Sequence, residues 1–265
     1  MKEIIPAPAA KLKVLDLFSG IGGFSLGLER TGGFKTVAFC EVDPNRRADL
    51  RRLWPDVVCH PDIRALRAED VGPVDVICGG FPCQDISDAG ARAGLAGERS
   101  GLWSEYARLV GELRPKFVLV ENVSALLDLG MGRVLGDLAA LGYDAEWHCI
   151  PASAVGAPHP RDRVWIIAYP ASEPGIHECF VGLSVRSALP DYCADWHATA
   201  WPAASPLFCH VDDDVPRRVD VSASLGNAVV PFIPELIGHA ILRLLPANES
   251  QNEGAADSAS VKERA

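Results

Sequence analysis

The chain reads as an α/β protein with a mostly parallel sheet and helices on both faces. Three observations predict it. Short β-branched runs alternate with amphipathic stretches over the first two-thirds of the sequence. Glycine, proline and aspartate punctuate the boundaries between them. The chemically unusual residues fall just behind the expected strands, on the edge where such sheets bind ligands.

Taken in order, residues 13–18 form a strand that runs into a glycine-rich turn and a helix over about 23–30. Residues 34–41 make a second strand, followed by a helix over 45–53. Residues 74–78 are the third clear strand and 117–120 the fourth, with a helix near 102–113 between them. A helix follows over 133–141, and 143–150 with 164–169 look like a closing strand pair. The pattern changes over about 170–215, which is rich in Pro, His, Trp and Cys and shows neither period, so it reads as a small irregular subdomain. Helical periodicity returns over 231–245. The remaining tail is small, polar and acidic, and is expected to be disordered. The expected organisation is therefore 1–169, an insertion at 170–216, a return at 217–246 and a tail at 247–265.

Composition bounds the function classes. At 265 residues and 28.4 kDa, with 48% hydrophobic and 23% charged residues, the chain can bury a real core. Its 25 basic against 35 acidic residues give a formal charge of −10, which argues against a general nucleic-acid coat but leaves room for a local basic cleft. The most apolar stretch, 228–246, carries Pro231, Pro234, Glu235, His239 and Arg243 and reads as a docking helix, so no membrane span is expected. The first ten residues contain two prolines and no continuous apolar run, so no signal peptide is visible. Eight cysteines without a CxxC pair point to reduced thiols in a cytoplasmic setting and to no zinc or other metal site.

Three clusters carry chemistry. In the first, a strand enters Phe18, Ser19, Gly20, Ile21, Gly22 and Gly23, a turn whose backbone amides can approach a nucleotide-like ligand; a tight turn alone would look the same. Glu41, at the end of the next strand, lies about 20 residues on and can accept hydrogen bonds from both ribose hydroxyls. These two features would suit a dinucleotide oxidoreductase equally. In the second cluster, Cys83 follows Gly79, Gly80, Phe81 and Pro82 on a proline-stiffened turn. Most free cysteines are buried small hydrophobes, but the flanking Gly-Gly-Phe-Pro is poor core material, which points to a nucleophile once the thiolate is favoured. In the third, Glu121 follows Val120 behind the fourth strand, where apolar neighbours can raise its pKa and make it an acid, or where it is an ordinary loop carboxylate.

Taken together these motifs resemble those of the DNA (cytosine-5-)-methyltransferases, close to the short forms of bacteria and bacteriophages. They come in that family's order: the glycine loop, Glu41, Asp62–Ile63, Pro82–Cys83–Gln84 with Ser87, Glu121–Asn122–Val123, Arg161-x-Arg163, and Gly226–Asn227–Ala228–Val229. The resemblance implies a Rossmann-like S-adenosylmethionine-dependent methyltransferase fold, with 170–216 as a small target-recognition subdomain. It implies that Cys83 adds to carbon 6 of cytosine, Glu121 contacts ring nitrogen 3, and Arg163 with Arg161 holds the base's carbonyl oxygen. S-adenosylmethionine would be held by Phe18, Gly20, Ile21, Gly22, Gly23, Glu41, Asp62, Ile63, Leu102, Asn227 and Val229. The flipped base would meet Phe81, Pro82, Gln84 and Ser87. Double-stranded DNA is the implied partner, a cognate restriction endonuclease a candidate one, and a monomer the expected state.

The same chemistry on transfer RNA and a non-catalytic relative are the alternatives. Intact Cys83, Glu121 and Arg163 count against the second; a dinucleotide oxidoreductase lacks its third phosphate-loop glycine. The sequence departs from the family where His159–Pro160 precedes the arginine pair in place of glutamine, at Val221–Ser222–Ala223–Ser224, and in the short, acidic recognition region, where loop 86–100 could share the reading of sequence. Arg92, Arg99, Arg217 and Arg218 flank the expected site as phosphate contacts, whereas Arg46, Arg47, Arg51 and Arg52 read as a solvated helix face.

Overall fold

The computed structural model of the chain describes residues 10–82, 101–155, 161–172 and 229–245. Among these residues, seven strands form one sheet: β1 (Leu12–Leu17), β2 (Phe34–Cys40), β3 (Val58–His60), β4 (Val76–Gly79), β5 (Phe117–Val123), β6 (Tyr143–Pro151) and β7 (Asp162–Pro170). Their order is β3-β2-β1-β4-β5-β7-β6. The first five pair in parallel, and β7 enters antiparallel between β5 and β6. The described helices are α1 (Gly23–Arg30), α2 (Pro44–Leu53), α3 (Ala68–Val71), α4 (Leu102–Leu113), α5 (Leu126–Leu129), α6 (Met131–Ala140) and α7 (Phe232–Leu244).

Strand periodicity sends alternate side chains to opposite faces, and both faces are covered. Leu15, Leu17, Ile77 and Val118 face one way, against Trp103, Tyr106 and Leu109 of α4 and Val134 and Leu138 of α6. Val14, Val76, Leu119 and Ile167 face the other, against Phe24 and Leu28 of α1 and Ile233, Ile237 and Ile241 of α7. The helix that returns from the far end of the chain is thus half of one layer. Strand order reverses beside β1, which pairs with β2 on one side and β4 on the other. That reversal opens a crevice at the carboxyl ends of β1 and β4.

Several sequence expectations are corrected. Glu121, Asn122 and Val123 do not follow the fourth strand; they are its last three residues, opposite Trp165, Val164 and Arg163 of β7. β3 was not expected, because its three residues Val-Cys-His carry no alternation and Val58 is exposed at the sheet's edge. It supplies the strand behind which Asp62 falls. β4 begins at Val76 and not Val74. Of the insertion 170–216, only residues 170–172 lie within the described part of the chain, and the tail 247–265 lies wholly outside it.

Candidate active site

β1 ends in a turn that only a few conformations can complete. Gly20 and Gly22 take the left-handed region, with φ of 57° and 84°, and Gly22 opens α1 as its N-cap. Phe18, which carries a side chain, is also left-handed at φ 52°. Such a conformation is costly without a glycine and persists where the surroundings impose it. The surroundings here are Ser19, whose hydroxyl donates to Asp16 O at 2.6 Å and accepts from Cys40 N at 3.2 Å, tying the turn to β1 and β2 at once.

Glu41 leaves β2 almost fully buried and receives two backbone amides. Gly20 N donates to its Oε2 at 2.7 Å and Asp43 N to its Oε1 at 2.9 Å. The carboxylate is therefore fixed against the glycine turn, with lone pairs on both oxygens for further donors. Val42, beside it, is 71% exposed, an apolar side chain at the carboxyl edge of the sheet. Arg47 does not belong to a solvated face: its guanidinium reaches back and donates to Glu41 O at 3.0 Å and to Val42 O. After β3, Asp62 caps its own turn through Arg64, whose hydrogen bonds hold the Asp62 carboxyl below its ordinary value. Ile63 turns into the core. Leu102 opens α4, half-buried against that core. Val229 reaches the glycine turn from the chain's far end: a Cβ added to Gly23 would sit 2.5 Å from the Val229 carbonyl oxygen.

The second half of the crevice is built on β4, β5 and β7. A Cβ at Gly80 would lie 2.8 Å from Glu121 Oε2, so the turn after β4 rests directly on that carboxylate. Asn122 Nδ2 donates to Phe81 O at 3.1 Å while its own Oδ1 accepts from Val123 N at 2.9 Å. The Phe81 ring packs at 5.2 Å on Trp103, which stacks on Tyr106 at 5.4 Å. Phe81 thus presents its backbone and not its ring at the sheet edge, and Pro82 continues the turn toward Cys83. Arg163 Nε pairs with Glu121 Oε1 at 3.1 Å. Burial raises the Glu121 carboxyl above its ordinary value; Arg163 and Arg161 oppose the rise without cancelling it. Arg161 takes φ 31°, so two of the three described non-glycine residues in the left-handed region, Phe18 and Arg161, are residues singled out from sequence. The third, Arg114, caps the end of α4.

Cys83, Gln84, Ser87 and Asn227 lie outside the described residues, as do Arg92, Arg99, Arg217, Arg218 and His159–Pro160. Among the described residues, no helix is long and apolar enough to cross a membrane.

A family profile described as C-5 cytosine-specific DNA methylase matches residues 12–180. The chain belongs to that family. Among its relatives, the Type II methyltransferase M2.BsuMI of Bacillus subtilis is 39% identical over 165 residues, covering 59% of this chain and 42% of that protein. M.Bsp6I of a Bacillus species is 34% identical over 164 residues, covering 60% and 52%. The chain thus spans about half the length of these relatives. A solved structure of an Escherichia coli prophage protein described as a DNA modification methyltransferase aligns with TM-score 0.53 at 32% identity, over 61% of this chain and 47% of that one. The Dnmt2 methyltransferase of S. pombe aligns with TM-score 0.54 over 64% of this chain and 55% of that one, at 21% identity, and shares the fold alone. The Rossmann-like methyltransferase fold expected from the resemblance is the fold of the described residues.

Three residues with direct contacts at this edge carry no role in the sequence reading. Asn122 was quoted within its motif but not as a contact. Val42 gave a usable signal, an apolar residue in an otherwise polar turn directly behind Glu41. Arg108 has carboxylates at i−3 and i+4, which signals pairing along a helix but not what else its guanidinium reaches.

Proposed function

We propose that this chain transfers a methyl group from S-adenosylmethionine to carbon 5 of a cytosine in duplex DNA. One observation carries the reading: in a chain of this family, the turn that leads into Cys83 rests on Glu121, and Glu121 is paired with Arg163. The residues at the β1 and β2 ends fit an adenosyl group. The Gly20 position is open to close approach, with nothing within 4 Å of an added Cβ, Glu41 offers carboxylate lone pairs to a diol, and Val42 offers an apolar face to a base. S-adenosylmethionine supplies an electrophilic methyl group when bound. Phe18, Gly20, Ile21, Gly22, Gly23, Glu41, Asp62, Ile63, Leu102, Asn227 and Val229 are proposed to hold it.

Carbon 5 of cytosine is too weak a nucleophile to take a methyl group unaided. In this proposal the Cys83 thiolate adds to carbon 6, and the bond's electron pair moves toward carbon 5 and the ring. Glu121, held toward its protonated form by burial, donates to ring nitrogen 3 and spreads the charge that develops. Arg163, with Arg161 nearby, holds the carbonyl oxygen and keeps Glu121 in place. Carbon 5 takes the methyl group as its bond to the sulfonium sulfur breaks and S-adenosylhomocysteine departs. A base then removes the carbon 5 proton, the carbon 6–sulfur bond breaks to return the thiolate, and ring nitrogen 3 gives its proton back to Glu121. None of these atoms is reachable in a stacked pair, so the cytosine is flipped out, at a cost of a few kcal/mol offset by pocket contacts with Phe81, Pro82, Gln84 and Ser87. Segment 170–216 is proposed to choose the target sequence, and a cognate endonuclease to be the functional partner of a monomeric enzyme.

The test is a duplex carrying 5-fluorocytosine at every cytosine, incubated with protein and S-adenosylmethionine. Fluorine cannot leave as a proton does, so the adduct is trapped. A denaturation-resistant complex that disappears with Cys83→Ser is expected, with S-adenosylmethionine binding retained in the variant. A complex on fluorinated RNA but not DNA would move the substrate to RNA. No complex on either would leave a cofactor or DNA binder without this chemistry.

A further inference from the structure

Arg108 lies outside every motif of the site, yet all three of its guanidinium nitrogens are engaged. Nε donates to Glu105 Oε2 and Nη1 to Glu112 Oε1, both at 2.8 Å, from the turns before and after it on α4. Nη2 leaves the helix and donates to the main-chain carbonyls of Ile63 at 3.0 Å and Leu66 at 2.9 Å. The two carboxylates fix the plane and rotation of the guanidinium, so its remaining N–H groups meet the loop pre-oriented. That loop carries Asp62 and Ile63, and the helix that carries Arg108 begins at Leu102. The side chain is a strut between two walls: a single-turn loop closed on Asp62 O by Ala65 N and Leu66 N, and the middle of α4.

We propose that Arg108 is a positioning residue for the nucleoside end of the cofactor site. It holds loop 62–66 against the middle of α4, the helix that begins at Leu102, and so sets affinity for the adenosyl group without touching the reacting atoms. The inference rests on the cofactor reading above. It differs from an ordinary helix-surface ion pair because half of the guanidinium's bonds leave the helix. Lysine, a point charge without the planar fork, cannot satisfy two carboxylates and two carbonyls together.

The test compares the full-length chain with Arg108→Met, Arg108→Lys and, as a control, Arg133→Met, whose partner Asp137 lies four residues on along α6. Calorimetric titration with S-adenosylmethionine and with adenosine, and steady-state kinetics on duplex DNA, are read side by side. Arg108→Met is expected to raise Kd and KM for S-adenosylmethionine about tenfold, equivalent to about 1.4 kcal/mol. The Kd for adenosine should rise in parallel, and kcat at saturating cofactor should stay within about twofold, because uniform binding is what is lost. Hydrogen exchange should quicken at 62–66 and not in β1 or β5. Arg108→Lys should fall between Met and wild type, and it carries the test if the Met variant does not fold. Arg133→Met should match wild type. If wild type binds and both Arg108 variants bind as tightly, or if kcat falls while KM holds, the inference is overturned. If wild type itself does not bind S-adenosylmethionine, the cofactor reading falls and takes this inference with it.

Discussion

Asp16 and Glu121 are both carboxylates withdrawn from water at the sheet's carboxyl edge, and their neighbours set them apart. Glu121 keeps a cation at 3.1 Å, so burial raises it against the pull of Arg163 and Arg161. Asp16 is 1% exposed, and its contacts to Ser25 are neutral: Ser25 Oγ donates at 2.7 Å and Ser25 N at 3.3 Å, both to Oδ2. Burial outweighs those bonds and pushes its carboxyl from 3.8 to about 7. The native state therefore holds a proton that the unfolded chain has lost between these two values. Stability from this group is fully present below about pH 4 and falls as pH rises to about 7, by roughly a few kcal/mol. Asp16→Asn cannot titrate. Urea unfolding of both proteins from pH 5 to pH 8 is expected to show wild type losing stability relative to Asp16→Asn, with the difference levelling off above about pH 7. A constant difference across that range would mean that Asp16 is ionised throughout.

Between elements, the tightest space beside any described glycine is at Gly27 of α1, against the start of α7. A Cβ at Gly27 would collide with the Pro231 carbonyl oxygen and lie 2.9 Å from Pro234 Cβ, so α7 docks on α1 through a gap that only glycine leaves. Gly27→Ala is expected to cost about 1–3 kcal/mol by overpacking. Gly136→Ala, on α6 with nothing within 4 Å of the added carbon, should be neutral or stabilising by up to about 1 kcal/mol. Equal urea midpoints for the two variants would show that the α1–α7 contact yields freely. This docking also marks how far the sequence could be read. Strands β1, β2 and β5 and helices α1, α4 and α7 were legible because apolar runs of the right period lie between glycines, prolines and charged turns. The glycine turn, Glu41 and the Pro82 turn were legible because each follows its strand directly in the chain, whereas Glu121 lies within β5 itself. β3 was not, since three residues at a sheet edge leave no period. The contacts of Arg47 to Glu41 and Val42 and those of Arg108 to loop 62–66 were not legible either, because they go to main-chain carbonyls, which every residue has and no sequence marks. Asn122 could be read as part of a motif, but its bond to Phe81 O depends on β4 and β5 being neighbours.

For the molecule as a whole, the formal charge of −10 sets a problem for the proposed substrate, which is itself a polyanion. Two scales of electrostatics compete, and they have opposite dependence on salt. If the overall charge dominated, added salt would screen a repulsion and strengthen binding. If a few arginines sit on phosphates, added salt opposes the release of condensed counterions and weakens binding. Four residues are expected to make such contacts from their place in the sequence: Arg92, Arg99, Arg217 and Arg218. With one phosphate each, the slope of log K against log salt is about −3.6, and affinity falls about a hundredfold between 50 and 200 mM salt. Fluorescence anisotropy on one duplex over that range measures the slope directly. The double variant Arg217→Ala, Arg218→Ala should bring it to about −1.8 while leaving S-adenosylmethionine binding unchanged. A flat or rising profile in wild type would mean that the charge of the whole molecule outweighs the local cleft. The DNA would then have to be engaged through its bases and shape, or by a surface that this chain shares with a second, more basic protein.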